Sequence, residues 1–191
     1  MNFIKILKKL KEEYKDNYTE RKNGTLLLGP STIPKCKHML FRPLNDELIK
    51  EYLILAYENT FPTAYIELLK YSNGANLLSE KIEEEGLVFA HSMLVIFGLP
   101  TTPPFQRKKE EEEPFDVRVE DLSRHNNISR KWLKFGTYCK KDDFDHQYDL
   151  FVDTKTDIAY SCERKKDLID EKWTSIDECL CSIYERLTKY L

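Results

Sequence analysis

Residues recur at helical spacing in five stretches of the chain, and apolar residues at alternate or consecutive positions in several others, dividing it into helical and extended parts. Phe3, Leu7, Leu10 and Tyr14 share one side of a helix over residues 2–16, with Lys5, Lys8, Lys9 and Glu12 on the other. Its lysine-rich early turns admit a membrane-surface or partner-binding role; covering a core is the plainer use of such a stripe. Asn23-Gly24 marks a turn, Thr25 to Leu28 a short strand and Gly29-Pro30 its end. Asn45 caps a second helix, with Asp46 and Glu47 in its first turn and Leu48, Ile49, Tyr52, Leu53 and Ala56 on its apolar face. After the break at Asn59-Thr60, a third helix spans Phe61 to Gly74, with Pro62 in its first turn and Gly74 as a left-handed terminator. Tyr65, Leu68, Leu69 and Ser72 fall at helical spacing, and Phe61 is placed to fold back on Ile66 or Tyr65. The short loop between these helices predicts a helical hairpin.

Beyond Gly74 the pattern turns extended. Leu87 to Ala90 and Leu94 to Phe97 read as two short strands joined at His91 and Ser92, and Gly98 stops the second. Leu99 to Pro114 combines prolines with a block of opposed charge and is expected to be an exposed loop. Val117 to Asn127 has Val119, Leu122 and His125 spaced for a short helix; Trp132, Leu133 and Phe135 then lead to Gly136. Tyr148 to Asp153 and Asp157 to Cys162 predict a hairpin around a polar turn. Ser175 caps the last helix, where Glu178 can complete a capping box and Ile176, Leu180, Ile183, Leu187 and Leu191 line one face.

Composition narrows the function classes. The chain has 191 residues, 41% of them hydrophobic, enough for one core. A net charge of -3 argues against a uniformly basic nucleic-acid binder, so an electrostatic partner would have to meet a local cluster. Cys36, Cys139, Cys162, Cys179 and Cys181 form neither a disulfide framework nor a zinc spacing and are expected to be reduced thiols. No apolar run reaches the roughly 20 residues that cross a bilayer, and no signal-peptide core is visible, so the expected location is cytoplasmic, with neither membrane nor nucleic acid as partner.

The order Pro62, Tyr65, Leu68-Leu69 and Asn73-Gly74 resembles the signature helix of the SUKH superfamily. The passage to a glycine-marked strand at Gly136, the Leu150 to Asp153 strand with its polar turn and return strand, and the Trp173-x-Ser175-x-x-Glu178 opening of the final helix are similar to that family in the same order. The resemblance covers residues 43–191 and leaves residues 1–42 as an N-terminal helix and extension. It implies an α+β fold, SUKH-like, with a mostly antiparallel sheet packed by the Asn45, Phe61 and C-terminal helices. It also implies a cytoplasmic immunity protein that neutralises a bacterial toxin, or a regulatory scaffold like the family's fungal cell-wall synthesis regulators. The Lys140 to His146 segment departs from the family's shorter glycine-rich turn.

Candidate chemistry is mostly acidic. Glu83, Glu84 and Glu85, Glu110, Glu111, Glu112 and Glu113, and Asp142, Asp143 and Asp145 are the candidate contacts for a cognate protein toxin, with a basic nuclease domain the case that suits their charge. The plainer reading of each run is a solvated surface segment. Asp142, Asp143, Asp145 and His146 have the residue types of metal ligands but lack the glycine and terminal glutamate of an EF-hand loop, and His91 has no partner at motif spacing. Phosphate-loop, dinucleotide, zinc-protease and serine-hydrolase motifs are absent from the sequence. The expectation is therefore a non-catalytic binding protein without cofactor or metal. A metal-dependent enzyme would require Asp143, Asp145 and His146 or His125 to converge.

Overall fold

The computed structural model describes residues 2–29, 37–56, 61–84, 87–99, 118–121, 131–140, 143–164 and 168–189. The expectations for Cys36, Glu85, Pro100 to Pro114 with its four glutamates, His125 and Asp142 lie outside them. The elements run α1 (Phe3–Glu13), β1 (Tyr18–Glu20), β2 (Leu26–Leu28), β3 (His38–Leu40), α2 (Asp46–Ala56), α3 (Thr63–Tyr71), β4 (Ala75–Glu84) and β5 (Leu87–Ile96). Then follow β6 (Arg118–Asp121), β7 (Lys131–Lys140), β8 (Asp143–Val152), β9 (Ala159–Glu163), β10 (Leu168–Trp173) and α4 (Ile176–Thr188). The ten strands form one antiparallel sheet in the order β1-β2-β3-β4-β5-β7-β8-β9-β10, with β6 also paired to β7. This is the α+β architecture expected. The N-terminal residues do more than extend it, because β1 to β3 add to the same sheet.

The helices bury one face against that sheet. Phe3, Leu7 and Leu10 of α1 join Tyr65, Leu68 and Leu69 of α3 and Ile176, Leu180, Ile183 and Leu187 of α4 in the main core. The apolar stripe of α1 is thus spent on internal packing, and Phe3 N–H donates to the Asp177 carboxylate at the start of α4. Asn45 caps α2 through its Oδ1, which accepts from Leu48 N–H at 2.8 Å. Asp46 of α2 pairs with Lys70 at the end of α3 at 2.8 Å, as antiparallel neighbours require.

Three extended segments differ from the pattern reading. His91 and Ser92 form no connection: β5 is continuous, with His91 opposite Glu80 and Ser92 opposite Ser79. The polar positions are absorbed by a cross-strand pair, Ser79 Oγ to Ser92 Oγ at 2.8 Å. Arg118 to Asp121, expected to be helical, is a strand pairing with Lys131 to Lys134, so pairing with β7 outweighs the helical spacing. Asp143 to His146 belongs to β8 rather than to a long hairpin loop; Lys140 and Asp143 are already paired. The hairpin predicted from Tyr148 to Cys162 is formed by β8 and β9, with Val152 opposite Ala159.

The signature stretch serves as a clamp. Phe61 packs edge-on against Tyr65, with ring centroids 5.5 Å apart, as the staple expects. Tyr65 Oη donates to Phe97 C=O at 2.8 Å, and Ser72 Oγ donates to Phe41 C=O at 3.1 Å. Asn73 uses both ends of its amide on Leu99, Nδ2 donating to its C=O at 2.6 Å and Oδ1 accepting from its N–H at 2.7 Å. Pro62 is the N-cap residue rather than part of the first turn, and α3 ends on an extended Ser72. Gly74 is left-handed at φ +86° two residues further on, where a Cβ would meet Ile96 C=O at 2.6 Å. Its role is the close approach of β4 to the end of β5, not termination of the helix.

Candidate functional site

The antiparallel register decides which loops share an end of the sheet. Leu94 of β5 lies opposite Tyr138 of β7, so the first residues of β5 and the last of β7 point to the same end. The residues that close β4 and open β5, and those that close β7 and open β8, therefore lie toward the same end of the sheet. On the backbone, Glu83 and Glu84 close β4, and Asp143 and Asp145 open β8. These two acidic runs come to one end; Glu85, Asp142 and Glu110 to Glu113 lie outside the described residues.

Sequence reasoning missed Glu80 at this end and the meeting of His91 with Cys139. Glu80 is half-buried and lies 3.7 Å from Lys37, the residue preceding β3. His91, opposite Glu80 on β5, places Nε2 3.0 Å from Cys139 Sγ on β7. No sequence spacing signals that pair, because the two residues are 48 positions apart and meet only through the β5–β7 pairing.

A thiol beside an imidazole invites a nucleophilic reading, which the electrostatics oppose. Burial, followed by the carboxylates of Asp143 and Glu80, pushes the Cys139 thiol up to about 11. Burial holds His91 below its ordinary value. Both shifts favour the neutral pair over the thiolate–imidazolium pair that attack on a carbonyl requires. His146 Nδ1 is hydrogen-bonded to Asp143 Oδ1 three residues before it. Among the described residues no three His, Cys, Asp or Glu side chains gather into a metal-binding group. Cys139, Cys162, Cys179 and Cys181 are free thiols.

Away from that end, β7, β8 and β9 carry a polar ladder. Asp149 accepts from Lys134 Nζ at 2.7 Å and from Arg164 Nη2 at 2.7 Å, while Trp132 stacks on Tyr160 with centroids 4.2 Å apart. These cross-strand contacts hold register.

On the helical side, an open groove of about 920 Å3 runs between α1, the C-terminal half of α4 and strands β3 and β4. Glu80 and Lys37 form part of its wall, so the groove adjoins the acidic end. Among the described residues no helix is long and apolar enough to cross a membrane. Comparison with protein-family models, with curated proteins and with solved structures finds no match to this chain.

Proposed function

We propose that this chain is a non-catalytic protein-binding domain of the immunity type, which holds a cognate bacterial toxin inactive by covering a basic surface such as a nuclease cleft. The observation that carries the reading is the shared sheet end: two acidic hairpin termini, Glu83-Glu84 on β4 and Asp143 to Asp145 on β8, belong to the neighbouring β4–β5 and β7–β8 hairpins, with Glu80 also on β4. Carboxylates on neighbouring hairpins raise the local potential for a basic partner although the whole chain carries only -3. The ordered SUKH-like motifs of residues 43–191 supply the toxin-immunity context. The neutral Cys139–His91 pair gives the same end no activated nucleophile.

The test is co-expression with the toxin domain encoded beside the gene, scoring growth rescue and co-purification together. Rescue with a stable complex supports immunity. Neither rescue nor complex overturns it and turns the search to an endogenous enzyme as the partner of a regulatory scaffold.

A further inference from the structure

The groove has chemistry of its own that the acidic end does not use. Its floor is apolar, formed by Ile6 and Leu10 of α1 and Leu78 of β4, and the rings of Tyr14, His38 and Tyr184 stand around it. Its volume is that of a site for a small organic molecule. Charge is segregated along it. Lys5, Lys9 and Glu13 follow one another on successive turns of α1, which separates Lys5 from Glu13 by about 12 Å. Lys37 is offset by Glu80, and Glu185 lines the groove from α4. Lys5 and Lys9 are exposed, and among the described residues neither has a carboxylate within ion-pair distance.

His38 supplies the second, independent sign of a ligand. The residue is 2% exposed, yet it lines the groove. Its Nδ1 accepts from Leu78 N–H at 3.3 Å, which fixes the neutral tautomer with the proton on Nε2. Burial and then the neighbouring Lys37 charge hold the ring neutral down to about 4. Among the described residues Nε2–H has no hydrogen-bond partner, and as His38 lines the groove this donor is left for whatever occupies it.

We propose that this groove binds a small amphiphilic organic anion, its head held by Lys5 and Lys9 with the His38 Nε2–H donor, and its body laid on Ile6, Leu10 and Leu78. Glu13, two turns of α1 beyond Lys5, repels the head from its end and so orients the ligand. The inference does not depend on the toxin-binding reading.

The full-length chain is titrated with 8-anilinonaphthalene-1-sulfonate by fluorescence, and the bound probe is then challenged with decanoate or with decyltrimethylammonium. The expected result is one saturable site per chain, emptied by decanoate and not by the cation. Lys5→Glu with Lys9→Glu should weaken binding by about tenfold or more at unchanged Tm, while Lys15→Glu, a charge away from the groove, leaves it intact. His38→Asn keeps an oxygen for Leu78 N–H but removes the Nε2 donor, and should weaken binding several-fold. The lysine pair decides the matter should that buried variant fail to fold. Non-saturating uptake, equal displacement by the cationic amphiphile, or unchanged affinity in the lysine variant overturns the proposal.

Discussion

Leu78 is a buried leucine in the left-handed region, at φ +56°, a conformation that costs a non-glycine residue about 1–2 kcal/mol. Its neighbours explain why it persists. Met39 and Leu40 of β3 pair with Asn76 and Ala75, but Lys37 C=O accepts from Ser79 N–H, so β4 carries one extra residue beyond Leu77. The N–H freed at Leu78 is taken by His38. Protonation removes that acceptor, and the sign follows. The folded ring stays neutral down to about 4 while the unfolded chain titrates near 6.5, so between these values the unfolded state binds more protons. The stabilisation is complete above about 6.5 and is lost as pH falls towards 4, amounting to about 3 kcal/mol. Urea unfolding at several pH values should show this slope in the wild type and a flatter one in His38→Asn. His91 acts in the same direction in both proteins, so the difference isolates His38. An identical slope in the two would remove His38 as its source. Cys139 offers a second test at this scale. Its thiol is buried and held protonated, whereas Cys162 is half-buried at the surface of β9. Iodoacetamide at pH 7.5, followed by peptide mass spectrometry, should label Cys162 well before Cys139. Labelling of Cys139 first would mean that its imidazole neighbour does activate it.

Among the elements, α3 shows how a local pattern can be read correctly for one purpose and incompletely for another. The apolar spacing of Tyr65, Leu68 and Leu69 predicts a buried helix, and all three are in the core. What spacing does not contain is the partner of each polar group. Asn73 looks like a helix stop, yet it acts as a two-pronged clamp on Leu99, 26 positions away. Asn73→Ala would strand a buried N–H and C=O and should cost about 2–4 kcal/mol in chemical denaturation; a loss under 1 kcal/mol would show that the clamp is dispensable. The capping box of α4 behaves similarly. Ser175 Oγ accepts from Glu178 N–H at 3.2 Å as predicted, but the Glu178 carboxylate turns to Thr174, accepting from its N–H at 2.8 Å. Helices and the late hairpin were legible because their signals lie within about ten residues. β4 was not recognised, since its polar half alternates with nothing apolar after Ile82, and its extension depends on pairing with β5 through Glu84 and Leu87. Arg118 to Asp121 changed type for the same reason.

At the scale of the whole molecule, function depends on which ends of the sheet coincide, and composition alone carries no trace of that. The runs at Glu83-Glu84 and Asp143 to Asp145 are visible as charge in the sequence, whereas their shared end follows only from β5 lying antiparallel to β7. Glu80 escaped notice because it is isolated in the sequence, and His91 shows no partner at motif spacing because Cys139 lies 48 positions away. If the acidic end steers a basic toxin, replacing Glu83, Glu84 and Asp143 with lysine should act mainly on the association rate. Screening shortens the reach of charge to about 10 Å at 0.1 M salt and about 3 Å at 1 M. The triple variant should therefore associate about tenfold or more slowly than the wild type at low salt, and the gap should narrow as salt rises. Stopped-flow mixing with an inactivated toxin domain measures this directly, and an unchanged Tm separates lost steering from lost folding. Lys5→Glu with Lys9→Glu provides the internal control, since it alters charge at the groove rather than at the hairpin ends and should not slow association with a basic partner. An association rate indifferent to the triple reversal at every salt concentration would move the contact surface away from this end of the sheet. A rate that rises instead would mean the partner presents acid, not base, and would exclude a basic nuclease cleft as the docked surface.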